Sequence, residues 1–315
     1  MEDDSGNMKT EHALKKLFLI AAVASAFPFW AGATSTIDPN NQSAWGANMG
    51  WTTWRPDPDN TNSTGVVIGE FILSGWIWGA NVGWINIGNG FPINNIQYQN
   101  NSAIDFGLNY GVDPTQPGYG VVRGYAYAAN IGWIAFESIG NPRIRFTDGA
   151  LEGYAYSANC GWINLGDFTQ HNLKTLHILM GTDSNGNGIA DAWEYLYFGR
   201  LLMPGEENTD PFGTGRTLLQ DYLDGVNPTV PNSALRVTAF STNASGGSSS
   251  IMFTSTTGRL YTIEKNTDLL NGTWVLDTNF GLGFIPDAGP TTTRLLLDVD
   301  EAQRFYRVKS VRPLP

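Results

Sequence analysis

Residues 124–137 read GYAYAANIGWIAFE, and this stretch decides the fold class. Tyr125 and Tyr127 alternate with Gly124, Ala126 and Ala128, a period of two that belongs to a β-strand with one bulky and one small face. Asn130-Ile131-Gly132 supplies two residues that tolerate positive φ, as a tight turn requires. Trp133-Ile134-Ala135-Phe136 is aromatic and β-branched, as strands prefer. The stretch is therefore a β-hairpin. A further strand at Arg143 to Phe146, closed by Asp148-Gly149, extends the unit to a three-stranded meander.

The same unit recurs on either side, as GWIWGANVGWINIG at 75–88 and GYAYSANCGWINLG at 153–166. Its central pentapeptide, Ala-Asn-x-Gly-Trp, occurs four times: Ala47 to Trp51, Ala80 to Trp84, Ala129 to Trp133 and Ala158 to Trp162. The tryptophans are 33, 49 and 29 residues apart, so a supersecondary module has been duplicated with insertions. One such unit cannot bury both faces, and neighbouring units must pack on one another. The sequence leaves open whether they do so as a solenoid, a sandwich or a propeller. The x position holds Met49, Val82, Ile131 and Cys160, so the single cysteine reads as a small buried hydrophobe. Because the Gly-Trp tryptophan occupies one site in every copy, most of these rings are expected in the core. The less regular Trp45, Trp54, Trp76 and Trp78 are the candidates for an exposed face that stacks on glycans.

On these motifs, residues 43–166 resemble the GYAW-x-EN-x-GWI repeats of large secreted bacterial proteins. Ala47, Ala80, Ala129 and Ala158 stand where that pattern often has Glu.

Asp183-Ser184-Asn185-Gly186-Asn187-Gly188, followed by five residues and Glu194, fits the twelve-residue calcium-loop pattern. Calcium takes six to eight oxygens. Asp183, Asn185 and Asn187 converge at positions 1, 3 and 5, and Gly188 makes the sharp turn. Ile189 offers its carbonyl, Asp191 acts directly or through water, and Glu194 closes the cage bidentately from a helix start. An extracellular loop with three acidic ligands suits an affinity of roughly 10⁻⁴ M or somewhat tighter. Asp210 to Gly215, then Leu218 to Leu223, repeats the loop-then-helix plan, but Phe212 and Leu218 replace oxygen ligands and Asp221 replaces Glu. Residues 181–228 resemble the paired loop-helix of dockerins and thrombospondin type 3 repeats. The dockerin resemblance implies a cohesin-like protein partner as the lesser reading.

After a linker at Thr229 to Asn232, short strands alternate with turns: Leu235 to Val237, Ser250 to Phe253, Leu260 to Ile263, Trp274 to Leu276, Leu295 to Leu297 and Phe305 to Val308. They predict a β-sandwich. This part resembles the C-terminal domains of secreted bacterial proteins that follow such calcium loops and end in Phe-Tyr-Arg-Val.

At the other end, Lys9, Lys15 and Lys16 precede an apolar run from Leu17 to Trp30 and then Ala31-Gly32-Ala33. This is the arrangement of a signal peptide cut after Ala33, and the run is too short to span a bilayer comfortably. No later segment reads as a transmembrane anchor. The expected organisation is a signal peptide (1–33), a mainly β aromatic hairpin/meander repeat domain (34–168), a small α-helical EF-hand-like calcium segment (169–229) and a C-terminal β-sandwich (233–315).

A net charge of −11 argues against a nucleic-acid partner, which demands a basic surface. Outside the leader only His171, His177 and Cys160 are available, too few for a zinc site, and no G-x-S-x-G elbow supports a serine triad. A glycosidase would need a carboxylate pair from Glu70, Glu137, Glu152 or Asp167, and nothing singles one out. The expectation is a secreted, non-enzymatic, calcium-binding structural or adhesive protein of the cell surface. The alternative is a carbohydrate-binding module directed at an extracellular polysaccharide or cell-envelope component.

Overall fold

The structure, a computed structural model, describes residues 34–166, 173–242, 248–296 and 304–315. The expected signal peptide, His171 and Asp167 lie outside them.

Each Ala-Asn-x-Gly-Trp pentapeptide closes a two-stranded hairpin. The first joins β1 (Ile37–Gly46) to β2 (Gly50–Thr53). After the short pair β3 (Val67–Ile68) and β4 (Leu73–Ser74), the second joins β5 (Trp76–Gly79) to β6 (Gly83–Asn86). β7 (Leu108–Val112) precedes the third, β8 (Tyr119–Ala128) with β9 (Gly132–Phe136). β10 (Arg143–Arg145) leads to the fourth, β11 (Leu151–Ser157) with β12 (Gly161–Gly166), and β13 (Leu173–Thr175) follows.

The four hairpins pair side by side: β2 with β5, β6 with β8, β9 with β11, and β12 back with β1. The result is a closed eight-stranded antiparallel β-barrel, which removes every edge from the repeat strands. This answers the packing question that the sequence left open. It also corrects the three-stranded meander, because β10 bridges β8 and β11 of two different units. β2, β5 and β6 have four residues each, far short of the roughly 9–11 that a bilayer-spanning strand needs.

Barrel closure rests on the turns. In each, the x residue's N–H donates to the carbonyl three residues back, as in Met49 to Gly46 (3.2 Å) and Ile131 to Ala128 (3.3 Å). Gly50, Gly83, Gly132 and Gly161 follow at φ 73–78°, so only the glycine of each motif takes positive φ and the asparagine does not. The asparagines do something else. Asn81 Nδ2 donates to the Met49 carbonyl (3.2 Å), Asn130 to Val82 (3.1 Å), Asn159 to Ile131 (2.9 Å) and Asn48 to Cys160 (3.2 Å). Four identical bonds thus run in a ring and latch each hairpin to its neighbour.

Met49, Val82, Ile131 and Cys160 fold inward beneath this ring and plug the barrel end. Small residues sit under the plugs because larger ones would collide: a Cβ on Gly46 would lie 2.7 Å from Met49 Cγ, and one on Gly79 would lie 2.6 Å from Val82 Cγ2. Further in, Ala44, Ala126 and Ala155 interleave with Ile85, Ile134 and Ile163, and Trp54, Ile87, Phe136 and Leu165 close the next layer. The interior retains a void of only about 10 Å³, about one water at most. The barrel is a packed core without a ligand chamber.

Beyond the barrel lie two helices, α1 (Asp191–Phe198) and α2 (Leu218–Asp224). Two three-stranded antiparallel sheets follow. One is β14 (Val237–Ser241), β15 (Ser249–Thr254) and β18 (Thr291–Leu296). The other is β17 (Val275–Leu276), β16 (Leu260–Asn266) and β19 (Phe305–Val311), around a small core of Ile251, Ile263 and Leu296. No helix among the described residues is long and apolar enough to cross a membrane.

Candidate functional site

Filling the barrel with alanines and branched aliphatics sends the other strand face outward, and that face is the aromatic one. Trp51 is 54% exposed, Trp84 39%, Trp133 46% and Trp162 46%. The expectation that the Gly-Trp rings form the core is therefore reversed. Of the residues expected on an exposed face, Trp45 and Trp78 are exposed, Trp76 is half-buried, and Trp54 is inside the barrel at 2% exposure. Trp54 packs edge-on against Phe136 (6.2 Å) and is not a stacking residue.

Each exposed tryptophan faces an aromatic partner directly across its own hairpin: Trp45 opposite Trp51, Trp78 opposite Trp84, Tyr127 opposite Trp133 and Tyr156 opposite Trp162. The last three pairs have ring centroids 4.9–5.0 Å apart at 60–62°, a geometry that holds the rings in place. Trp76, Tyr125 and Tyr154 extend the second, third and fourth pairs. The long insertion before β8 adds Phe106, edge-on to Trp133 at 5.0 Å. The outcome is a belt of aromatic clusters around the outer wall, just behind the Asn ring.

Of the calcium-pattern residues, Asn185, Asn187 and Glu194 are brought together, whereas Asp183 and Asp191 each bond amides of the loop backbone. Asp183 accepts from the Gly186 and Gly188 amides (2.8 Å each), and Asp191 accepts from the Ser184 amide (2.9 Å). Glu194 is fully buried, and its carboxylate accepts from Asn185 Nδ2 (3.2 Å) and Asn187 Nδ2 (2.7 Å). Those are neutral donors where a buried carboxylate calls for a cation. Ile189 is buried beside Trp193, Leu202, Leu218 and Tyr222, which anchors the loop to α1 and α2. No group of three or more His, Cys, Asp or Glu is placed to hold a metal among the described residues. The three carboxylates of the calcium pattern, Asp183, Asp191 and Glu194, do not form such a group. The pattern counts on oxygens, which a hard cation takes, but Asn185 and Asn187 turn their amide nitrogens toward Glu194.

In the second loop the Thr214 hydroxyl faces Asp210 (3.2 Å), the Arg216 carbonyl (3.1 Å) and Asp221 (3.0 Å), three acceptors for one proton. Burial, reinforced by the charges of Asp210 and Asp224, pushes the Asp221 carboxyl up to about 6. Phe212 is exposed.

Two of the carboxylates considered for catalysis are engaged in structural contacts. Glu152 pairs with Arg143 (2.7 Å) and Arg145 (3.1 Å). Glu70 pairs with Arg312 (3.1 Å) and accepts from the Tyr222 hydroxyl (2.6 Å). His177 Nδ1 contacts the Pro315 carbonyl (2.6 Å), and Cys160 is buried in the plug. A cavity of about 260 Å³ lies where barrel, helices and C-terminal sheets meet. Its polar groups serve the joint: Arg312 stacks 4.4 Å over Tyr222, and Arg259 donates to the Tyr222 and Leu223 carbonyls at the end of α2 (2.8 and 2.9 Å).

No protein-family model, no curated protein and no solved structure matches the chain.

The asparagine ring and the outward belt escaped sequence reading. The invariance of Asn at four turns was visible, yet a turn preference accounted for it without a partner 112 residues away.

Proposed function

We propose that this is a secreted, non-enzymatic adhesive protein whose barrel binds extracellular polysaccharide through its outer aromatic belt. The observation that carries the reading is the outward placement of all four Gly-Trp tryptophans on a barrel whose interior is filled by side chains around a void of about 10 Å³. Repetition of a core residue would stabilise a fold, whereas repetition of an exposed tryptophan stabilises little and offers ring faces to a ligand. The net charge of −11 disfavours anionic membranes and nucleic acids and leaves neutral glycans as the natural occupants.

The loop at Asp183–Glu194 supports this role as a calcium-binding, EF-hand-like staple. Calcium would be held by Asp183, Asn185, Asn187, the Ile189 carbonyl, Asp191 and Glu194. Beyond it, the two C-terminal sheets would pack as a β-sandwich that attaches the barrel to the cell envelope.

The belt is tested by sedimentation with insoluble cell-wall polysaccharide. Replacing Trp51, Trp84, Trp133 and Trp162 together by Ala should abolish co-sedimentation while the protein stays folded by circular dichroism. Full retention of binding would reject the belt. For calcium, calorimetry on the whole chain should give one site, lost in Asp183→Ala and in Glu194→Ala.

A further inference from the structure

We propose that the groove above Ala135 on the outer wall is a subsite for one pyranose ring of a neutral, glucose-configured polysaccharide. This rests on the glycan-binding reading of the belt and names its specific contact.

The four junctions between hairpins are equivalent by register. Thr53 lies opposite Trp78, Asn86 opposite Tyr127, Ala135 opposite Tyr156 and Asn164 opposite Trp45. At three of them a polar side chain stands beside the neighbouring aromatic ring. At the third junction there is only a methyl group, and a groove of about 200 Å³ opens between Glu137, Ile139, Tyr154, Tyr156 and Trp162. Drug-sized sites run to roughly 300–1,000 Å³, so this one suits a single ring within a longer chain.

The walls specify the occupant. Trp162 is held by Tyr156 at 5.0 Å and by Tyr154 at 6.2 Å, so the platform exists before any ligand arrives. Ile139 is exposed on the turn after β9, an aliphatic wall facing solvent. The Glu137 carboxylate sits at the same groove, where Tyr125 donates to its Oε1 (3.0 Å). Apolar walls ask for C–H bonds, and a carboxylate asks for O–H donors. A pyranose with equatorial hydroxyls presents both, with C–H bonds on its faces and hydroxyls around its rim. An axial hydroxyl would bring oxygen onto the aromatic face, and a uronate would meet Glu137 with like charge. An apolar peptide would leave the Glu137 carboxylate facing carbon.

The test is calorimetry of the whole protein with cellohexaose and with an oligogalacturonate of equal length. Cellohexaose should bind and the oligogalacturonate should not. Ala135→Asn places in the third hairpin the residue that the second and fourth carry at the same position, so the fold accommodates it while the groove is filled. It should weaken cellohexaose binding about tenfold or more, and Glu137→Gln should weaken it similarly, with unchanged melting in both. Wild-type affinity in Ala135→Asn, equal binding of the oligogalacturonate, or no binding of cellohexaose to the unaltered protein would overturn the subsite. If co-sedimentation with polysaccharide persists in Ala135→Asn but is lost without the four belt tryptophans, the belt stands and only the subsite falls.

Discussion

Two residues illustrate how a side chain's partner outweighs its own preference. Asn at the hairpin turns is not held there by positive φ. Each donates to a backbone carbonyl of the adjacent hairpin, and Asn81→Ala should leave the Met49 carbonyl without its partner. A lost hydrogen bond of this kind costs about 1 kcal/mol, which thermal melting would read as a drop of roughly 2–4 °C. Removing all four asparagines should open the plugged end, and Cys160 should then react with a thiol reagent that leaves the native protein unlabelled. Asp221 makes the complementary case. Its carboxyl titrates near pH 6 in the folded chain against about 3.9 when unfolded. Between those values the folded state holds more protons, so stability falls as pH rises from about 4 to 6 and stays lower above. Urea midpoints measured across that range should show the slope in the native protein and lose it in Asp221→Asn.

At the level of elements, α1 depends on what lies before it. It is eight residues long, too short to persist alone, and carries Asp191 and Glu194 in its first turn. Those acids suit the helix dipole. On the proposed reading, bound calcium would tie the loop to the start of α1 and add roughly 1.4 kcal/mol at ten times Kd. Amide exchange in α1 should accordingly slow on adding calcium, accelerate with chelator, and remain fast in Glu194→Ala under both conditions. α2 needs no such help, because Thr217 and Gln220 form a reciprocal cap at its start and Gly225 ends it in the left-handed conformation.

For the whole molecule, the loop-helix segment that carries α1 and α2 is one of two ties between barrel and C-terminal sheets. The other is direct: Arg312 reaches Glu70, and Ile178 N–H donates to the Leu314 carbonyl (2.8 Å). Chelation should therefore admit protease between residues 181 and 230 while the two β fragments stay associated on gel filtration. In Glu70→Ala, which strands the largely buried Arg312 at a cost of about 3 kcal/mol, the fragments should separate after the same cut. Fragments that part in the native protein would show that calcium alone holds the joint.

What the sequence by itself determined is local. The hairpins, the glycine of each turn, the paired loop-helix plan and the burial of Cys160 follow from short-range geometry, which acts within a dozen residues. Only the tertiary structure decided which face of each strand is inside. A period of two with Tyr125 and Tyr127 on one side and Ala126 and Ala128 on the other is equally consistent with either face buried. The choice belongs to barrel closure. Eight strands enclose room for alanine, isoleucine and one layer of larger rings, so Trp54 and Phe136 fit while the four Gly-Trp tryptophans and their partners must stand outside. The aromatic belt, and the groove left by Ala135 within it, exist because β12 returns to pair with β1.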